Sequence, residues 1–253
     1  MPEPASPVFD KYARFYDLIY RDRDTPAEVS WILNELDSAG LGSNLRLLEL
    51  GSGTGRHAVL FGEAGHSVVG VDPSAEMISH AQSHDLVNYL EGDGRSVRIG
   101  EKFDAVLALF HVVSYQTTDH DLLAIFTTAG EHLESGGIFG FDVWFSPAVH
   151  SLTPEPRTLH KEDDSVSLTR KAAPEEDLSR SLVSVTYDCT ITDKHTGKTH
   201  EFQEQHLMRH FSAAEIGFVA NLSGFDVLAH SEFLSSAVPS RETWGVWFTL
   251  RKR

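Results

Sequence analysis

Three glycines separated by single residues, Gly51, Gly53 and Gly55, interrupt the segment "LLELGSGTGRHAVL" between Leu47 and Leu60. An apolar run leading through such a loop into a helix-like run offers backbone N–H groups to a nucleotide. The neighbouring residues narrow the choice. A phosphate-transfer loop needs Gly-x-x-x-x-Gly-Lys-Ser/Thr, but Arg56 and His57 follow the last glycine. A dinucleotide fingerprint reads Gly-x-Gly-x-x-Gly, and here the third glycine comes one residue early. Glu49 stands two residues before the first glycine, where it would repel a pyrophosphate and attract a cation. Asp72 closes the next apolar run, 21 residues after Gly51. A nucleoside ligand with positive charge and no phosphate suits this set. His200, His206 and His210 invite a metal reading. On a strand, however, His206 and His210 lie roughly 13 Å apart at about 3.3 Å per residue, too far to share an ion. No metal is expected.

The elements that must position these groups follow from periodicity. Tyr12, Phe15, Tyr16, Ile19 and Tyr20 form the stripe of one helix face, and Pro26 opens a second helix that Gly40 stops. Strands are predicted at 46–50, 67–71, 87–91, 103–109 and 138–143, with helices at 56–64, 74–83 and 119–133 between them. Ser74 is a natural N-cap, and "SGG" at 135–137 is a helix stop and turn. This alternation predicts an α/β fold: a Rossmann-like, seven-stranded, mostly parallel sheet with helices on both faces. After Ser151 the pattern changes. "TPEPRTLHKEDDS" and "KAAPEEDLS" read as charged loops, and residues 182–192 alternate as a half-buried antiparallel strand that pairs with 199–211. Ser212 then caps a helix, and two final strands follow. The organisation expected is a core of residues 1–150 and 212–253, with N-terminal lid helices at 10–39, and an inserted antiparallel β module at 151–211.

The chain has 253 residues, 21 Lys+Arg against 37 Asp+Glu and a formal charge of −16, which argues against nucleic-acid binding through a broad basic surface. A single cysteine excludes an intrachain disulfide and fits a reducing compartment. The proline-rich, acidic N-terminus has no apolar signal core, and no apolar stretch approaches the roughly 20 residues that span a bilayer. A soluble cytoplasmic protein is expected, with no membrane partner.

"LELGSGTGRH" resembles the first motif of class I S-adenosylmethionine-dependent methyltransferases, "GVDPSAEM" the second and "LEGDGR" the third. The resemblance implies S-adenosyl-L-methionine (SAM) as cofactor. Its methionine and ribose part would be wrapped by the glycine loop, its ribose held by Asp72 and its adenine amino group approached by Asp93. The cofactor site so implied comprises Tyr20, Glu49, Gly51, Ser52, Gly53, Gly55, Asp72, Pro73, Met77, Asp93, Gly94, Leu109 and Phe110.

One branch of that family is resembled from end to end, though loosely: the dTDP-3-amino-sugar N,N-dimethyltransferases. "YARFYDLIY", "FDVWFSPAV", "EFQEQHLMRHFSAAEI" and "VPSRETWGVWF" carry this likeness. It implies N-methylation of a nucleotide-linked amino sugar, with homodimer formation left open. An amine must be neutral to attack a sulfonium methyl, so a His or Tyr that relays the proton is sought; Tyr12, His111 and Tyr115 are the candidates. Tyr16 and Trp144 would wall the acceptor, and Arg209 and Arg241 would clamp a diphosphate. The sequence departs from the branch after strand four, where "HVVSYQ" puts Tyr115 in place of the usual histidine, and after strand five, where Val143 follows Asp142. Both departures fall at the acceptor pocket. A methyltransferase of another small molecule, a SAM-binding sensor or scaffold, and, more remotely, an NAD-dependent oxidoreductase are the alternatives.

Overall fold

The computed structural model describes residues 13–253. Tyr12, expected on the first helix, lies outside the described residues. The helices are α1 (Ala13–Ile19), α2 (Thr25–Ser38), α3 (Arg56–Glu63), α4 (Ala75–Ser79), α5 (Asp119–His132), α6 (Ser146–Leu152) and α7 (Ala213–Leu222). The strands are β1 (Arg46–Leu50), β2 (Ser67–Asp72), β3 (Val87–Glu91), β4 (Phe103–Ala108), β5 (Leu133–Phe145), β6 (Arg157–Glu162), β7 (Val166–Asp177), β8 (Leu182–Asp193), β9 (Thr199–Phe211), β10 (Phe225–Glu232) and β11 (Gly245–Lys252).

Strands β3-β2-β1-β4-β5 run parallel in that order; β11 pairs antiparallel with β5, and β10 with β11. This is the expected seven-stranded α/β core. Parallel strands need covering on both faces, which is why β1 and β4 read as nearly unbroken apolar runs. On one face, α5 and α7 bury Phe126, Ala129, Ile216 and Ala220 against Leu48, Leu50 and Phe139. On the other, α2 and α3 bury Ile32, Leu36, Ala58 and Phe61 against Leu47 and Leu107. Residues alternate across a strand, so Glu49 shares the α2–α3 face with Leu47 and is 1% exposed.

Three expectations are corrected. The charged segments read as loops after Ser151 are strands β6 and β7, so the inserted sheet has four strands, in the order β9-β8-β7-β6. Charge misleads here because β6 is an edge strand whose outward residues meet water. Pro174 is tolerated because β6 pairs β7 only as far as Ala172, leaving no neighbour there to need its missing N–H. Helix α4 is a single short helix ending at Ser79, because the polar run after it has no apolar face to bury. The "SGG" at 135–137 does follow a helix end, but β5 runs through it, with Gly136 at φ +88°.

The inserted sheet meets the core at the end of β5, where β9 pairs parallel with it through Trp144↔His210 and Phe145↔Phe211. Helix α1 packs against the inserted sheet: Ile19, Leu168, Cys189 and Ile191 are buried together, with Tyr16, Tyr20 and Tyr187 around them. No helix among the described residues is long and apolar enough to cross a membrane.

Candidate active site

The glycine loop lies at the carboxyl end of β1, where open α/β sheets bind ligands. Gly51 and Ser52 both donate backbone N–H bonds to Val71 O, at 2.7 and 3.0 Å, which folds the loop against β2. All three glycines have positive φ: +77°, +54° and +73°. At Gly55 a Cβ would sit 2.0 Å from the Tyr89 hydroxyl oxygen, and at Gly51 2.4 Å from a Val112 methyl, so a side chain is excluded twice over. At Gly53, by contrast, the nearest atom is the Met77 methyl at 3.8 Å, and the loop backbone faces the cleft.

Asp72 ties loop to strand. Its Oδ2 accepts Gly53 N at 2.8 Å and its Oδ1 accepts Ser74 N at 2.9 Å. A carboxylate has about four lone-pair sites, so the two backbone bonds orient Asp72 and still suit two ribose hydroxyls. Ser74 caps α4 through Met77 N, as expected. Pro73 lies exposed beside them, and Gly94 packs behind Leu50.

The cleft is lined by the loop residues 51–54 together with Tyr16, Tyr20, Arg23, Thr25, Glu49, Arg56, His57, Leu109 and Phe110. Glu49 is its buried acid. Burial, reinforced by the Asp72 charge, pushes its carboxyl up to about 8. Its Oε1 is 3.8 Å from His57 Nδ1, and its Oε2 is buried without a hydrogen-bond partner among the described residues. An orphaned carboxylate oxygen at the base of a cleft is a place for an ammonium or sulfonium. Behind it, His57 Nε2 meets Glu28 at 2.9 Å, and Glu28 pairs with Arg23 at 2.6 Å. Burial would raise the Glu28 carboxyl, but His57 and Arg23 outweigh it and hold it low. The Arg23 guanidinium lies 4.0 Å over the Phe110 ring, so the cleft also presents a cation that sequence reasoning missed. No spacing signal marks it, because Arg23 falls between two helices.

Helix α1 is pinned over the loop. Thr54 Oγ1 donates to Asp17 at 2.8 Å, and Arg56 donates to Tyr20 O at 2.8 Å and Thr25 Oγ1 at 3.1 Å. Tyr16 and Tyr20 pack together at 4.8 Å, and Tyr20 meets Phe110 edge-on at 5.0 Å.

Beyond β4 the chain takes two consecutive left-handed residues, Phe110 (φ +60°) and His111 (φ +64°). Each such non-glycine conformation costs about 1–3 kcal/mol and persists only where its surroundings fix it. Here the fixing group is Asp142 on β5, fully buried. It accepts His111 N at 3.1 and 3.2 Å, and its Oδ2 sits 2.6 Å from His111 Nδ1. Burial raises the Asp142 carboxyl, but His111 more than compensates and holds it below its usual value. Trp144 stands 6.2 Å from His111 and 5.6 Å from Trp244, an aromatic wall at the end of β5. Val112–Tyr115 form a 3₁₀ turn that points Tyr115 toward the inserted sheet, with its hydroxyl 2.9 Å from His206 Nδ1. On β7, Arg170 lies over Tyr187 at 4.7 Å and over Tyr20 at 5.7 Å.

Two of the expected contact residues are engaged by protein partners. Asp93 is committed to Arg95: its carboxylate accepts the backbone N, Nε and Nη2 of that residue, which leaves little capacity for an adenine. The "DGR" spacing carries the signal, since an aspartate bonds readily to the backbone two residues on. Arg209 holds its guanidinium on Asp119 at 2.8 Å and Glu215 at 2.6 Å, joining β9 to α5 and α7. Arg241 is exposed in the 233–244 loop that brings Trp244 to Trp144. The three histidines spread along β9: His200 is exposed, while His206 and His210 are buried and bond to Tyr115 and Ser146.

The glycine loop, the Asp72 carboxylate that ties it to β2 and the orphaned acid Glu49 together fit SAM. Residues 47–137 match the family described as "Methyltransferase domain". Residues 47–137 thus carry a methyltransferase domain, and the chain is a SAM-dependent methyltransferase. It is similar to the dTDP-3-amino-3,4,6-trideoxy-alpha-D-glucopyranose N,N-dimethyltransferase of Streptomyces venezuelae, with 29% identity over 221 residues covering 85% of this chain and 90% of that enzyme. It is similar to the dTDP-4-amino-2,3,4,6-tetradeoxy-D-glucose N,N-dimethyltransferase of Saccharopolyspora spinosa, with 29% identity over 149 residues, 57% of this chain and 59% of that one. The crystal structure of Streptomyces venezuelae DesVI superposes with a TM-score of 0.78 at 26% identity, covering 95% of this chain and 98% of that chain.

Proposed function

We propose that this methyltransferase acts on the amino group of a nucleotide-linked sugar, dTDP being the nucleotide that two relatives' names carry. The acceptor would lie between the core (1–150 and 212–253) and the inserted sheet (151–211). The observation that carries the reading is the His111–Asp142 pair beside Trp144, at the edge of the cofactor cleft. With Asp142 holding Nδ1, the Nε2 of His111 can accept a hydrogen bond from the acceptor amine and aim its lone pair. Trp144 and Trp244 would wall the sugar, and Tyr16 would close the pocket from α1.

SAM, when bound, supplies an electrophilic methyl on sulfur. Methyl transfer to an amine moves charge rather than creating it, so the residues act mainly by position and by keeping water out. Orientation alone can contribute roughly 7–11 kcal/mol. Glu49 and the loop would fix the methionine end, Asp72 the ribose, and Leu109 and Phe110 the floor between cofactor and acceptor.

Labelled SAM supplied with a panel of dTDP-3-amino and dTDP-4-amino sugars tests the proposal. Transfer to at least one is expected, and transfer to none refutes the sugar assignment. A second reading, a small amine without a nucleotide, is favoured by one observation: Arg209 is spent on acidic residues, leaving Arg241 as the remaining expected phosphate contact. R241A separates the two readings. It raises KM for a dTDP-sugar, and leaves KM for a free amine unchanged.

A further inference from the structure

Where the turn after β4 meets β9 of the inserted sheet, beside the cleft tyrosines Tyr16 and Tyr20, lies a chain of proton-handling groups for which methyl positioning has no use. Tyr115 and His206 Nδ1 are 2.9 Å apart, and Nε2 of the same ring is 3.3 Å from Glu204 Oε2. Glu204 and His206 are two apart on β9 and so share its inner face. His206 is buried, with the Tyr187 ring edge-on at 4.8 Å, while the Glu204 side chain keeps 10% of its surface in contact with solvent. A carboxylate at Nε2 fixes the tautomer: Nε2 keeps its proton, and Nδ1 accepts from the tyrosine O–H. Among the described residues, the groups facing Tyr115 include Tyr16 from α1, Tyr20 after it, Tyr187 from β8, and Glu204 and His206 from β9, with Arg170 of β7 over Tyr20 and Tyr187.

An aliphatic amine arrives at neutral pH as an ammonium and cannot attack until it sheds a proton. We infer that Tyr115, His206 and Glu204 form a relay that carries this proton from the acceptor ammonium to the edge of the inserted sheet. The inference rests on the acceptor being an amine. In the step, the ammonium N–H proton passes to the Tyr115 oxygen while the proton already on that oxygen passes to His206 Nδ1. The N–H bonding pair stays on nitrogen as the lone pair that attacks, Tyr115 ends neutral, and His206 becomes an imidazolium against the Glu204 carboxylate. Burial, with Tyr20, Tyr187 and Tyr16 adding to it, holds the Tyr115 phenol well above its ordinary value. Tyr115 therefore works as a conduit that gains and loses a proton together, not as a phenolate. Tyr115 is the catalytic residue of the set, and His206 and Glu204 are positioning residues that act through it.

The test uses the full chain, labelled SAM and an acceptor amine, with Y115F, H206Q and E204Q compared across pH 6.5–9.5. At pH 7 the first two are expected to lose about 10- to 100-fold in kcat/KM, within the gain a positioned general base supplies. The loss should shrink toward pH 9.5, where the amine arrives already neutral. E204Q should show a smaller loss of the same pH shape. SAM affinity and Tm should stay near those of the unsubstituted chain. Retained activity in Y115F and H206Q, or a loss equal at every pH, overturns the relay. A second measurement needs no acceptor: nitrogen-15 NMR of the His206 ring should show Nε2 protonated and Nδ1 bare, and the opposite tautomer overturns the relay. If no amine sugar is methylated, the substrate assignment falls while the tautomer measurement still decides the hydrogen-bond order. If sugars are methylated and the variants behave as the unsubstituted chain, only the relay falls.

Discussion

Cofactor binding should be coupled to the loss of a proton from Glu49. Lifting a carboxyl from the ordinary 4.5 to about 8 disfavours its ionised form by about 5 kcal/mol, at 1.36 kcal/mol per tenfold change. In the ligand-free protein at pH 7 the side chain is then about nine-tenths protonated. A sulfonium or ammonium beside it restores the carboxylate, so about 0.9 proton should leave for each SAM bound. Between pH 6 and 7 affinity should rise about ninefold, flattening as pH passes 8. The ligand's own amino group also begins to titrate near there, at about 7.7–8.0, so pH 6–7.5 is the clean window. Calorimetric titration in phosphate and in Tris reads the effect directly, because released protons make the heats differ by the buffers' ionisation enthalpies. E49Q should bind more weakly, with equal heats in the two buffers and no pH slope. The linked stability has a definite sign. A raised folded-state value stabilises the ligand-free protein below about pH 4.5, and that contribution is lost as pH rises through 8. Ligand-free E49Q should therefore melt above the unsubstituted protein at pH 9, while the two converge toward pH 5. Equal heats in both buffers with Glu49 intact would refute the reasoning.

Three further outcomes follow from the geometry. Gly55→Ala forces a Cβ against the Tyr89 hydroxyl at positive φ and should abolish SAM binding in calorimetry as well as lower Tm. D142N should weaken the hold on His111 and lower kcat about 10- to 100-fold in a methyl-transfer assay, with SAM affinity unchanged, because Asp142 bonds to His111 and not to the glycine loop. R209A should lower Tm by a few degrees, roughly the shift that 1 kcal/mol produces in a chain of this size, while KM for any acceptor stays put.

The legible parts of this molecule are those whose cause is local. The glycine loop could be read because φ beyond +50° at three alternating residues demands glycine, and Asp72 and Ser74 because a strand end and a helix cap follow each other within the chain. The parallel core declared itself through apolar runs alternating with amphipathic ones. What stayed hidden is what long-range folding assembles. Glu28, Glu49 and His57 come from α2, β1 and α3, and their mutual pairing has no sequence period. Arg209 looked available because its partner Asp119 is 90 residues away. Tyr115 and His206 are 91 residues apart and meet only because β9 returns beside β5. Strands β6 and β7 were disguised by charge, which an edge tolerates.

The narrow seam between β5 and β9 bears on how acceptor preference can be inherited. Among the described residues, two pairs, Trp144↔His210 and Phe145↔Phe211, make up the strand pairing that joins the four-stranded insertion to the core sheet. A graft that swaps the segment between Phe145 and Phe211 for a relative's has a short backbone join to rebuild, together with the packing of α1 on the inserted sheet and the Tyr115–His206 and Arg209 contacts. The glycine loop and Asp72 lie outside the exchanged stretch. An exchange of that block would change the strands facing α1 and Tyr115 while the cofactor loop, Asp72, His111, Trp144 and Trp244 stay as they are.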